Sequence, residues 1–274
     1  MQQSQRRTIL VTGANKGIGY GTIEKFFSEA TPYDLILTST DPKLGETAIA
    51  NLKSQHPKST STLTYHQLDV TDDKSVDNLV KWLKDSNRKI DVLVNNAAIL
   101  DWKSDDELKK RTVKTNFSSV VKLTEKLIPY LTSDAKVLLI SSMAGQLVFQ
   151  GATLQKALSD PKLTEAQLHD SADRILEVIA DFKPQGIIVE SSYPASKALL
   201  NAYGKTFLPA KLKLTQQVYS VHPGMVQTDM GGPNAPLTLQ EGVDPIAYLI
   251  NLPFKFHPEL NGKLIGDKRE IMEF

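Results

Sequence analysis

The chain has 274 residues, 41% of them hydrophobic and 23% charged, enough apolar content for one sizeable core. Its 32 basic and 31 acidic residues leave a formal net charge of +1, which gives no electrostatic support to a nucleic-acid or acidic-membrane partner. Cysteine is absent, which excludes disulfides and thiolate metal sites and fits a reducing, cytoplasmic compartment.

The polar start, residues 1–7, precedes only a short apolar run and reads neither as a signal peptide nor as a membrane span. Residues 8–11 then predict a buried strand. A glycine-rich turn follows, with a helix over 18–30. Residues 34–38 predict a second strand, 44–55 a second helix and 63–68 a third strand. Thr71 or Asp72 is placed to cap the next helix, whose apolar stripe is Val76, Leu79, Val80 and Leu83. A fourth strand over 90–94 leads into a long helix over 107–131. Residues 137–140 form a fifth strand, a helix carries Tyr193, residues 218–221 form a sixth strand, and 263–266 offer a seventh. Strands alternating with helices imply parallel pairing through right-handed crossovers. The expected fold is α/β, a single Rossmann-type doubly wound parallel sheet. No linker, repeat or low-complexity tract divides the chain, so 1–274 reads as one domain.

Two constellations carry chemistry. The first is Thr12-Gly-Ala-Asn-Lys-Gly-Ile-Gly19, at the first strand–helix junction. Gly13 permits the tight turn, Gly17 lets the backbone approach a pyrophosphate at the helix N-terminus, and Gly19 lets helix and strand pack closely. The second is Tyr193 and Lys197, one helical turn apart on one face. A phenol titrating near ~10 is a poor acid–base group at neutral pH, and an adjacent ammonium is expected to pull it down.

Together these features resemble the short-chain dehydrogenase/reductase family over nearly the whole chain. Leu68-Asp69-Val70 resembles its adenine-contacting segment. Asn95-Asn-Ala-Ala98 is similar to its Asn-Asn-Ala-Gly, with Ala98 where glycine is usual. Asn116 matches a helix asparagine that holds a water, and Ser142 the catalytic serine. Pro223-Gly224 resembles the bend beside the nicotinamide, and Thr228 a residue reaching the cofactor. The resemblance adds Asn15, Ile18, Ala97 and Val226 to the cofactor set. It implies hydride transfer to a small-molecule ketone, aldehyde or quinone. Tyr193 is the implied proton donor, Ser142 bonds the carbonyl oxygen, Lys197 bonds the nicotinamide ribose, and Asn116 supports a water that reloads the proton. Within the family the chain is most similar to the monomeric NADPH-dependent carbonyl reductases, by Asn15-Lys16-Gly17, by Gly266-Asp-Lys-Arg269 and by the long stretch between Ser142 and Tyr193. Salutaridine- and menthone-type plant reductases share that stretch, so the substrate stays open.

The expected cofactor is NADP(H). An NAD site places an acid at the end of the second strand, where this chain has Ser39 and Thr40, with Asp41 beyond. Lys16 is placed to pair a 2′-phosphate. The long stretch, an insertion at about 146–188, holds a capping box in Thr164-Glu-Ala-Gln167. Leu168, Ala172, Ile175, Leu176 and Ile179 follow as one apolar stripe, and Lys183-Pro184 with Gly186 as its stop. A helix laid over the helices of Asn116 and Tyr193 fills the face that tetrameric members of the family use to associate, so a monomer is expected. Two other classes compete with this reading. One is a catalytically silent NADP(H)-binding sensor, which would lack part of the Tyr–Lys–Ser set. The other is a metal hydrolase, for which His56, His66, His169, His222 and His257 show no ligand spacing, so no metal site is expected.

Overall fold

The computed structural model describes residues 6–100, 105–183 and 191–274. Its strands are β1 (Arg7–Val11), β2 (Tyr33–Ser39), β3 (Thr62–Gln67), β4 (Ile90–Asn95), β5 (Leu131–Ile140), β6 (Gln217–Val221), β7 (Leu264–Ile265) and β8 (Ile271–Met272). They form one eight-stranded sheet in the order β3-β2-β1-β4-β5-β6-β7-β8. All neighbours are parallel except β7 and β8, an antiparallel pair at the edge. Strand order reverses between β1 and β4, and the crevice at their carboxyl ends is where such sheets take ligands.

The helices are α1 (Gly17–Ser28), α2 (Pro42–Gln55), α3 (Asp73–Asp85), α4 (Asp106–Val113), α5 (Ser119–Leu127), α6 (Ala152–Leu158), α7 (Glu165–Asp173), α8 (Ile175–Val178), α9 (Tyr193–Ala202), α10 (Leu208–Lys211) and α11 (Leu239–Asn251). The period-2 alternation of the strands divides the core into two layers. Ile9, Val11, Leu35 and Leu37 face Ile23 and Phe26 of α1, Leu52 of α2 and Ile246 of α11. Leu10, Ile36, Leu93 and Val137 face Leu79 of α3, Phe117, Leu123 of α5 and Leu199 of α9. Among the described residues no helix is long and apolar enough to cross a membrane.

Several boundaries differ from expectation. The helix expected over 107–131 starts at Asp106, capped by Asp105 on the amides of Glu107 and Leu108, and widens into a π turn over Lys114–Ser118. It resumes as α5 and closes in a 3₁₀ turn, Ile128–Tyr130, at Pro129. Leu131 therefore opens β5 and does not end the helix. Asp72, not Thr71, caps α3. In the inserted segment the Thr164–Gln167 capping box forms, but the helix breaks at Arg174 into α7 and α8, and α6 precedes them. The stripe still points inward: Leu168, Ala172 and Ile175 are buried, with Leu176 and Ile179 packed against the same layer. The expected stop at Pro184 and Gly186 lies outside the described residues. The segment does lie over the two expected helices. Phe117 meets His169 of α7 with ring centroids 5.5 Å apart, and Lys211 of α10 pairs with Glu125 of α5 (2.5 Å) and Glu165 of α7 (2.8 Å).

Candidate active site

A cavity of ≈ 530 Å³ opens at the carboxyl ends of the central strands. One end is built by the turn after β1. Gly13 (φ 62°) and Gly17 (φ 58°) both take the left-handed conformation that glycine adopts without strain. A side chain at Gly13 would put its Cβ 3.0 Å from Ala97 Cα, and one at Gly19 would stand 2.5 Å from Asn96 Nδ2. The turn is held by Thr12 and Asn96, which are not among the expected cofactor-binding residues. Asn96 Nδ2 donates to the carbonyls of Thr12 (2.8 Å) and Gly13 (3.0 Å), while Thr12 Oγ1 accepts from the amides of Asn96 and Ala97, both at 2.9 Å. The signal was the second Asn of Asn95-Asn96, one residue past the strand. Helix α1 then begins with no side-chain cap and no acid in its first turn. Its leading amides are left for an anion, the arrangement that binds phosphate.

The other end carries the reactive groups. Tyr193 sits at the start of α9, its amide accepted by Ser191 Oγ at 3.1 Å. Burial pushes its phenol up to about 12, and the hydrogen bond with Ser142 pulls the other way. The ammonium pull expected from Lys197 does not govern the phenol. Lys197 is itself pushed down to about 7 by burial. Its Nζ donates to Ile140 O at 2.7 Å and lies 5.4 Å from the Tyr193 ring centroid. Ser142, just past β5, also accepts from Ala144 N at 3.2 Å.

Of the residues named from sequence, Ser142, Tyr193, Lys197, Gly13, Asn15, Lys16, Gly17, Ile18, Thr40, Asp69, Val70, Ala97, Pro223, Gly224, Val226 and Thr228 line this cavity. Four do not. Gly19 is buried under Asn96. Asn95 points away and donates to Thr124 Oγ1 at 3.0 Å, because alternation turns it into the α5 layer. Ser39 is buried against Asp41 O (2.8 Å) and the Tyr65 hydroxyl (3.3 Å), which leaves Thr40 at the wall. Asn116 is fully buried, and both its amide protons are committed, to Ile99 O (2.8 Å) and Ser196 Oγ (3.1 Å). Its oxygen accepts from Ile99 N at 2.9 Å, so the side chain ties the loop after β4 to α9.

The cavity also recruits unexpected residues. Met143, Met225 and Met230 give it an apolar wall, with Ile99 and Leu100. His222 lines it too, and its buried Nδ1 has no hydrogen-bond partner among the described residues. Its place just before Pro223-Gly224 was the available signal. Burial holds its imidazole below the usual range.

The family described as short chain dehydrogenase matches residues 7–155. A (+)-neomenthol dehydrogenase of Arabidopsis thaliana is 31% identical over 100% of both chains. An NADPH carbonyl reductase 1 of Mus musculus is 30% identical over 97% of this chain and 98% of its own. Among solved structures, salutaridine reductase from Papaver somniferum superposes with a TM-score of 0.82 at 27% identity, over 94% of this chain and 99% of its own. The chain belongs to the short-chain dehydrogenase family.

Proposed function

We propose that the protein is an NADPH-dependent reductase of ketone, aldehyde or quinone carbonyls. The observation that carries this reading is the convergence, in one cavity, of an uncapped glycine-turn helix at one end and the Tyr193–Ser142–Lys197 group at the other. Full-length relatives named as NADPH carbonyl reductases and neomenthol dehydrogenase support it. The residues present fit the cofactor. The first amides of α1 would hold its pyrophosphate, Asp69 and Val70 its adenine, Pro223, Gly224 and Thr228 its nicotinamide half, and Lys16 with Thr40 its 2′-phosphate. NADPH supplies the hydride when bound.

The protein's own groups do the rest. A phenol held at about 12 is protonated throughout the physiological range, which is the form a reductase needs. Tyr193 gives its proton to the carbonyl oxygen as charge develops there. Ser142 donates a hydrogen bond to the same oxygen and stabilises that charge. Lys197 bonds Ile140 O, so its ammonium is held at the base of the cavity with donors left for the nicotinamide ribose. Asn116 acts as a positioning residue through Ile99 and Ser196. The methionine-rich wall favours apolar substrates. The segment α6–α8 covers the π turn and α9, which supports a monomer; sedimentation at micromolar concentration tests that reading. The absence of cysteine suits a cytoplasmic protein.

Initial rates of NADPH oxidation against quinones, aromatic ketones, aldehydes and cyclic terpenoid ketones test the function. Saturable turnover of at least one carbonyl class is expected. NADPH binding without turnover of any class would leave a silent sensor as the better description.

A further inference from the structure

Lys16 is not waiting free at the mouth of the cavity. Its Nζ is 2.6 Å from Asp229 Oδ2, across the cleft from the glycine turn to the segment after β6. Both side chains are exposed, 67% and 77%, and both residues line the cavity. Beside them the two segments touch, since a Cβ at Gly17 would lie 3.5 Å from Thr228 Cγ2. Asp229 is carried by a fixed turn. Gly232 N donates to Thr228 O at 2.8 Å and Gly231 N to Thr228 Oγ1 at 3.2 Å. The base of this segment is pinned as well, with Leu237 N on Met225 O (3.1 Å) and Gln227 N on Leu237 O (2.8 Å). The carboxylate is thus presented at a set place and the flexible lysine comes to it.

We infer that Asp229 is a specificity-determining residue for the cofactor: it competes with the 2′-phosphate for Lys16 and thereby weakens the discrimination between NADP(H) and NAD(H). The inference rests on the proposed assignment of Lys16 to the 2′-phosphate. An ammonium has three donors, but the Asp229 carboxylate offsets the charge that Lys16 offers a 2′-phosphate, and two anions brought to the same Nζ repel each other. Burial does not lock the pair, so a doubly charged phosphate displaces the carboxylate at small cost. A cofactor with a free 2′-hydroxyl offers Lys16 no comparable anion and leaves the pair intact. Of the two neutral candidates near that position, Ser39 is buried against Tyr65 and Thr40 offers only an uncharged hydroxyl at the wall. Lys16 therefore carries the discrimination, and Asp229 sets how much of it is realised.

The experiment is calorimetric titration of NADP⁺ and NAD⁺ into wild type, Asp229→Asn, Lys16→Ala and the double variant, with no substrate present. Melting temperatures run alongside check that each protein is folded. In Asp229→Asn the affinity for NADP⁺ should rise about 2- to 5-fold, with NAD⁺ little changed. In the double variant that gain should vanish. An unchanged or weakened NADP⁺ affinity in Asp229→Asn, while Lys16→Ala still lowers the NADP⁺/NAD⁺ ratio, overturns the role of Asp229 and spares that of Lys16. An unchanged ratio in Lys16→Ala overturns the assignment of Lys16 and the inference built on it.

Discussion

Two buried lysines are tied to β5, one within the strand and one reaching its last residue, and they are used in opposite ways. Lys136 lies in the strand itself, fully buried, near the amino ends of the sheet. All three of its protons are accepted, by the carbonyls of Leu249 (2.9 Å), Ile250 (2.9 Å) and Leu252 (2.6 Å) at the end of α11, and its Nζ lies 4.2 Å from the Phe254 ring centroid. Lys197 is 2% exposed and reaches Ile140, the last residue of the same strand, with one hydrogen bond and the cavity before it. Desolvation lowers both, to about 8 and about 7. Burial and a depressed pKa therefore do not separate a structural lysine from a functional one. What separates them is how much hydrogen-bonding capacity is already satisfied: Lys136 is a helix cap in a closed setting, while Lys197 keeps donors facing a ligand-sized space.

The largest expected effect is on the open side. Tyr193→Phe should lower kcat by about 10²-fold or more, about 2.7 kcal/mol, with NADP⁺ affinity retained, whereas Lys136→Met should leave kcat per folded molecule unchanged. Turnover near wild type in Tyr193→Phe would break the contrast. Next in size is stability. Lys136→Met strips three buried carbonyls of their donor and should cost about 1–3 kcal/mol in denaturant unfolding. No loss would mean that the carbonyls re-pair locally.

A third contrast is a pH slope. For each lysine the unfolded chain, at 10.5, binds more protons than the folded one above about 7 for Lys197 and about 8 for Lys136. Stability contributed by these groups should therefore rise with pH from about 7 toward 10. Beyond the ordinary tyrosine value of 10.0 the sign reverses, because folded Tyr193 keeps its proton to about 12. Lys136→Met should remove the part of the rise above about pH 8. A slope unaltered in that variant would show that Lys136 is as easily charged in the fold as outside it.

The same division explains what could be read from the sequence. Strands β1, β2, β4 and β6 are short apolar runs whose alternation is unbroken, and the glycine turn and the Tyr193–Lys197 spacing are local patterns. The first half of β5 was hidden because Asp134 and Lys136 interrupt its apolar run, and only the tertiary carbonyls of α11 explain a lysine there. Edge strand β8 has two residues, too few to show a period. At the site, motif position located the cavity but not side-chain direction. Asn95 and Ser39 lie at strand ends where alternation turns them inward, and Asn96 and Thr40 take the exposed places. The Lys16–Asp229 pair joins residues 213 apart in sequence, which no local pattern encodes.

The most direct test of the central claim follows the hydride. NADPH deuterated at the transferring position of the nicotinamide is incubated with the protein and a carbonyl substrate found in the rate panel. The account predicts one alcohol formed per NADPH consumed, with deuterium on the carbinol carbon, and loss of both in Tyr193→Phe despite retained cofactor binding. Cofactor bound but not consumed by the wild-type protein, or label absent from the product, would contradict it.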